Sequence, residues 1–211
     1  MSADDTKRNP LFTIGHSNLE SGTFFDLLKQ HRIQVLVDVR SSPYSQFTPQ
    51  FNREVLQAEL KQTGILYLFL GNELGARRSE RDCYENGQVV YELIAKTAAF
   101  KNGLERVISG AKNFRVALMC AEKDPLTCHR TILVCRNLKS AGLEIQHIHS
   151  DGHLETHAEA ERRLLQILKF PEQDLFRSRE EILTEAYFSQ GKKIAYTEEE
   201  EKTRSVPVSV A

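Results

Sequence analysis

Apolar residues along this chain come in short bursts separated by turn chemistry, and the period of the bursts alternates between strand and helix. Phe12 and Ile14 form a short apolar strand ending at Gly15-His16-Ser17. From Ser21, read as a helix cap, Phe24, Phe25, Leu27 and Leu28 recur on one helix face. Residues 33–39 are a β-branched run of buried-strand length, broken by Ser41-Ser42-Pro43. Asn52 can cap a second helix that turns Val55, Leu56 and Leu60 inward and stops at Gly64. A third strand follows at 65–70. Residues 76–87 are a polar loop with Arg77, Arg78 and Arg81, and 89–109 reads as one or two helices. The fourth strand is 114–119, with a helix after Arg130 that ends near Gly142. A fifth strand, 143–149, ends in Ser150-Asp151-Gly152. A helix then runs through Leu168 to the stop at Pro171, and 178–188 forms one more.

Five strands alternating with helices predict an α/β fold: a mostly parallel five-stranded sheet with helices on both faces, a Rossmann-like three-layer arrangement. The expected organisation is a single domain over 11–190, a flexible N-terminus at 1–10, and a flexible acidic tail at 191–211 that holds four consecutive glutamates.

Composition narrows the function classes. The chain is 40% apolar and 27% charged, with a net charge of −1, so no domain-wide basic footprint for nucleic acid exists. No apolar run is long enough to span a membrane. The N-terminus lacks the apolar core of a signal peptide. Together with the four cysteines, this predicts free thiols, a cytoplasmic location and no membrane partner. Oligomeric state is not legible.

The candidate chemistry lies at the strand ends, which a parallel sheet gathers along one edge. The segment Met119-Cys120-Ala121-Glu122-Lys123-Asp124-Pro125-Leu126-Thr127-Cys128-His129-Arg130 joins a strand to a helix start, where amide groups and cationic side chains favour a thiolate. Cys120 is narrowly preferred over Cys128 as nucleophile. His16 or His129 would transfer protons, and Asp38 or Glu122 would orient them. Arg40, Arg130, Ser17 and Arg77 would hold an anionic group, such as the phosphate of a nucleotide or nucleic acid. Cys135 reads as core packing and Cys83 as incidental. Neither a Walker loop nor a dinucleotide fingerprint is present, so no cofactor is expected. No metal is expected either, because the cysteines lack paired zinc spacing. His153-Leu154-Glu155-Thr156-His157 has its glutamate displaced from a zincin motif, and His157 with Glu161 reads as a solvated helix face. These residues equally suit a non-catalytic anion or nucleic-acid binding module, or a thiol metal or redox site.

Ile14-Gly15-His16-Ser17, Asp38-Val39-Arg40 with Pro43 and Ser45, Leu74-Gly75, and the Cys–Glu–Pro–Cys–His–Arg segment together resemble the domain-of-unknown-function family 488. His147-Ile148 and Asp151-Gly152 fit the same pattern, which runs from about residue 12 to 168. The resemblance implies a small α/β domain with a polar site in which His16, Ser17, Asp38, Arg40, Glu122, Cys128, His129 and Arg130 belong together. It implies no particular reaction.

Overall fold

A computed structural model describes residues 9–198. Five strands form a parallel core: β1 (Leu11–Gly15), β2 (Val35–Asp38), β3 (Leu66–Phe69), β6 (Val116–Cys120) and β7 (Ile145–Ile148). A sixth, β8 (Leu154–Thr156), adds antiparallel to β7, giving the order β3-β2-β6-β1-β7-β8. The registers pair Asp38 with Met119 and Gly15 with Cys120, so the carboxyl ends of β1, β2 and β6 lie side by side.

The period of two along each strand divides the core. Leu36, Ala117, Met119, Phe12 and Ile14 pack with Phe24, Leu28, Leu56 and Leu60 from α1 (Ser21–Gln30) and α2 (Arg53–Thr63). Val35, Val37, Leu118 and Cys120 face the other way. That second face is covered by α5 (Ala98–Ala111), α6 (Arg136–Ser140), α7 (His157–Leu168) and α8 (Arg179–Ile194). The three-layer α/β expectation holds, with an antiparallel edge strand added.

Several local expectations change. Glu20, not Ser21, is the cap position of α1, and Asn52 makes no capping bond but accepts the Ser45 N–H at 2.7 Å. Val55 is exposed. Gly64 does end α2, in the left-handed region at φ 76°. The third strand is an edge strand with Leu66 exposed. Inside the arginine loop, β4 (Tyr84–Glu85) and β5 (Gln88–Val89) form a hairpin, and short helices α3 (Gly71–Leu74) and α4 (Tyr91–Ile94) flank this region. The last helix runs to Ile194, and Thr197 bridges Gln88. The first residues of the expected tail are therefore part of the fold, because Val89 donates its N–H to the Tyr196 carbonyl at 3.0 Å. Residues 1–8 and 199–211 of the expected flexible ends lie outside the described residues. No described helix is long and apolar enough to cross a membrane.

Candidate active site

The strand–helix segment singled out in the sequence folds back on itself. β6 ends at Cys120, a short 3-10 turn covers Pro125–Thr127, and the next helix opens with a π-helical stretch, Arg130–Cys135, that continues into α6. Asp124 starts the 3-10 turn by accepting the Leu126 N–H at 2.9 Å, and Arg163 holds Asp124 from α7 at 2.8 and 3.0 Å. The loop returns because Arg130 is almost fully buried and donates to the Glu122 and Lys123 carbonyls at 2.6 and 3.2 Å. Gly15 permits that approach: a Cβ there would meet the Glu122 carbonyl oxygen at 1.8 Å.

Cys120, Glu122, Cys128 and His129 converge as a result. One donor atom from each lies within 4.8 Å of the others. Cys120 Sγ is 3.6 Å from His129 Nδ1, and Cys128 Sγ is 2.9 Å from Glu122 Oε2, a separation that holds one proton between them. The Arg130 backbone N–H donates to Cys128 Sγ at 3.4 Å. His129 Nε2–H donates to the Val39 carbonyl at 3.0 Å, which turns Nδ1 toward Cys120; burial lowers the His129 pKa, but the bond and charge of Cys128, then Glu122, raise it overall.

The two thiols are driven apart electrostatically. Burial, the hydrogen bond to Cys128 and the negative charge on that neighbour raise Cys120 well above an ordinary thiol. Burial would raise Cys128 too, but the bond from Cys120, the Arg130 guanidinium and His129 bring it well below the ordinary value. Glu122 is an exposed residue whose carboxyl turns into the cluster; that desolvation, then the Cys128 charge, raises its pKa. The electrostatics thus favour a thiolate at Cys128 over one at Cys120.

A cavity of about 520 Å³ opens beside the cluster. Cys120, Glu122 and His129 line it together with Arg40, Arg77, Ser41, Ser42 and Ser45. Cys128, Arg130, His16, Asp38 and Ser17 are not among the lining residues. Arg40 is tied down by Asp38 through two bonds at 2.9 and 2.7 Å, by the Phe51 carbonyl at 2.8 Å, and by a bond to His16 Nε2 at 3.1 Å. One guanidinium N–H remains for the cavity. His16 stacks on Phe51 and donates Nδ1–H to the Ser17 carbonyl; burial, then Arg40, lowers its pKa to about 4. It buttresses Arg40 as a neutral ring. Arg77 is exposed at the rim and stacks on Tyr196. Arg78 is buried on the Asn72 and Glu73 carbonyls, and Arg81 pairs with Glu198.

Sequence reasoning missed Tyr44, Phe47, Tyr91 and Tyr196, which also line the cavity; aromatic residues in polar loops were the available signal. Other expectations are corrected. Cys83 is buried in the core rather than exposed in the charged loop. His157 and Glu161 are buried, not a solvated face. His153 precedes β8 and His157 begins α7, so they do not share a helix. Cys135 is core packing as expected, its thiol pushed up by burial.

The sequence profile of a family described as Domain of unknown function DUF488 matches residues 21–136, more than half of the 211-residue chain. The chain belongs to the DUF488 family. The matched span holds β2, β3, β6 and the whole Cys120–Arg130 segment, so the clustered donors are part of the DUF488 region, while His16, Ser17, α7 and α8 lie outside it. No curated protein and no solved structure matches the chain.

Proposed function

We propose that this DUF488 protein is an enzyme acting on a phosphate-bearing substrate, a nucleotide or a nucleic-acid end, with Cys120, Glu122, Cys128 and His129 as its reacting centre. The observation that carries the reading is the cavity wall. Cys120, Glu122 and His129 meet there, and Arg40 and Arg77 border the same space. A strand-end crevice of this kind is where open α/β sheets take ligands. Arg77 is the exposed cation at the rim, suited to a phosphate that stays partly solvated. The serines supply further donors. Tyr44 and Phe47 stand exposed at the mouth, 54% and 87% accessible, and offer stacking faces for a base. Arg130 and Ser17 serve the loop rather than the substrate. Glu122, whose Oε2 shares a proton with Cys128 Sγ, lines the cavity and is assigned the proton transfer.

The test offers the full chain 5′-phosphorylated and unphosphorylated nucleotides and short oligonucleotides, reading binding by calorimetry and turnover by chromatography. A phosphorylated compound should saturate the protein. Arg77→Ala should weaken binding roughly tenfold, about 1.4 kcal/mol, and Glu122→Gln should keep binding and abolish turnover. Equal binding with and without phosphate, or turnover that survives Glu122→Gln, would overturn the reading.

A further inference from the structure

The donor set in the cluster suits a metal ion, and its geometry already approaches that of an occupied site. This inference rests on the proposed function only for where a substrate would meet the ion. Two thiols and an imidazole are the ligands that a soft divalent cation selects. On a tetrahedral zinc, with bonds of about 2.3 Å to sulfur and about 2.05 Å to nitrogen, S and N stand about 3.6 Å apart. Cys120 Sγ and His129 Nδ1 are 3.6 Å apart.

The surroundings are those a ligand shell requires. His129 gives its other ring N–H to the Val39 carbonyl, so Nδ1 is the ring nitrogen directed inward, where a metal ion would take the place of a proton. The Arg130 N–H supports Cys128 Sγ. Both cysteines are buried, and Arg130 and Gly15 hold the loop between them in place. The sequence spacing that argued against zinc is overcome by this loop, which brings Cys128 back to the strand end.

We propose that Cys120 Sγ, Cys128 Sγ and His129 Nδ1 bind one Zn²⁺, with Glu122 beside a fourth position that opens to the cavity. Glu122 is assigned as a neighbour, not a ligand, for two reasons. It is the exposed member of the four. Its oxygen is also 2.9 Å from Cys128 Sγ, closer than the roughly 3.6 Å expected for O and S on one zinc ion. Binding needs both cysteines as thiolates and His129 Nδ1 unprotonated, so the protons held by these three groups leave to solvent. The cysteines then act as ligands, and an open position flanked by a carboxylate is the arrangement of a catalytic zinc site.

The experiment uses the full chain purified without a histidine tag, stripped with chelator and titrated with Zn²⁺ and Co²⁺. Metal content is read by elemental analysis and ligands by the cobalt charge-transfer spectrum and zinc X-ray absorption. One ion per chain is expected, with two sulfur ligands. Cys120→Ser, Cys128→Ser and His129→Gln should each lose at least tenfold in affinity, and Glu122→Gln should keep the full stoichiometry. X-ray absorption of the wild-type chain counts sulfur ligands even if a variant fails to fold. Substoichiometric binding by the folded chain, fewer than two sulfur ligands, or loss of the ion in Glu122→Gln would overturn the assignment. None of these readouts needs a substrate, so failure of the proposed function leaves this test intact.

Discussion

At the scale of single residues, the site depends on which face of the sheet each strand residue takes. His16 and Asp38 sit beyond Ile14 and Leu36 on the α1/α2 side, while Cys120 follows Val116 and Leu118 on the other. The period of two was readable in the sequence, yet the sequence reading pooled all strand-end residues into one crevice. The structure separates them. Asp38 is fully buried; it accepts two bonds from the Arg40 guanidinium, one from the Arg40 backbone N–H at 3.1 Å and one from the Tyr67 hydroxyl at 2.8 Å. Removing that carboxylate strands a buried guanidinium. Asp38→Ala should therefore cost about 3–5 kcal/mol, against about 1.5–3 kcal/mol for Tyr67→Phe, which removes one bond to the charged carboxylate and leaves the ion pair intact. Urea unfolding of the two variants checks the order. Similar losses would mean that Arg40 does not depend on Asp38. Legibility ended at the same point: Arg40 and Arg130 were visible as candidate anion binders, but their internal partners, the Phe51, Glu122 and Lys123 carbonyls, are set by tertiary packing.

At the scale of elements, periodicity found five strands and most helices, and end chemistry decided the boundaries it missed. A capping box marks the true start of α7: Thr156 accepts the Glu159 N–H at 3.2 Å, and Glu159 accepts the Thr156 N–H at 2.8 Å. The same pattern at Ser178 and Glu181 starts α8. Reading a helix straight on from Gly152 overlooked the first box and with it β8. The Asn86-Gly87 pair, with φ of 50° and 75°, is the two-residue turn of the β4–β5 hairpin. It was legible but masked by the surrounding charge. Thr156→Ala removes a cap at the junction of β8 and α7 and should lower stability by about 1 kcal/mol. Thermal melts with Thr156→Ser as the control measure this. A serine variant no better than the alanine one would show that the hydroxyl is not what matters.

At the scale of the whole molecule, one buried polar chain crosses the layers. Thr13 on β1 donates its hydroxyl to His147 Nδ1 at 2.8 Å, and His147 Nε2–H donates to His157 Nδ1 at 3.0 Å. His157 Nε2–H then donates to the Tyr187 oxygen at 3.0 Å, and the Tyr187 hydroxyl donates to Glu161 at 3.1 Å. Lys139 closes the chain on Glu161 at 2.6 Å. In this order every proton has an acceptor with both histidines neutral; a second proton on His157, at Nδ1, would face the His147 Nε2–H, and one on His147, at Nδ1, would force the Thr13 hydroxyl to turn from donor to acceptor. Burial lowers His157 to about 4, opposed by Glu161 and reinforced by Lys139, and burial followed by the neighbouring His157 takes His147 well below its usual value. Both rings therefore bind protons more weakly folded than unfolded, so acid favours the unfolded chain. Stability should be unaffected by these groups above about pH 6.5 and fall as pH drops toward 4, by roughly 3 kcal/mol for His157 alone. The measurement is urea unfolding from pH 7.5 to 4 for the wild-type chain and His157→Gln. The variant should start less stable and show a shallower decline over that window, because carboxylates elsewhere titrate equally in both proteins. Parallel curves would mean that acid acts elsewhere and that this chain does not tie α7 and α8 to the sheet through neutral histidines.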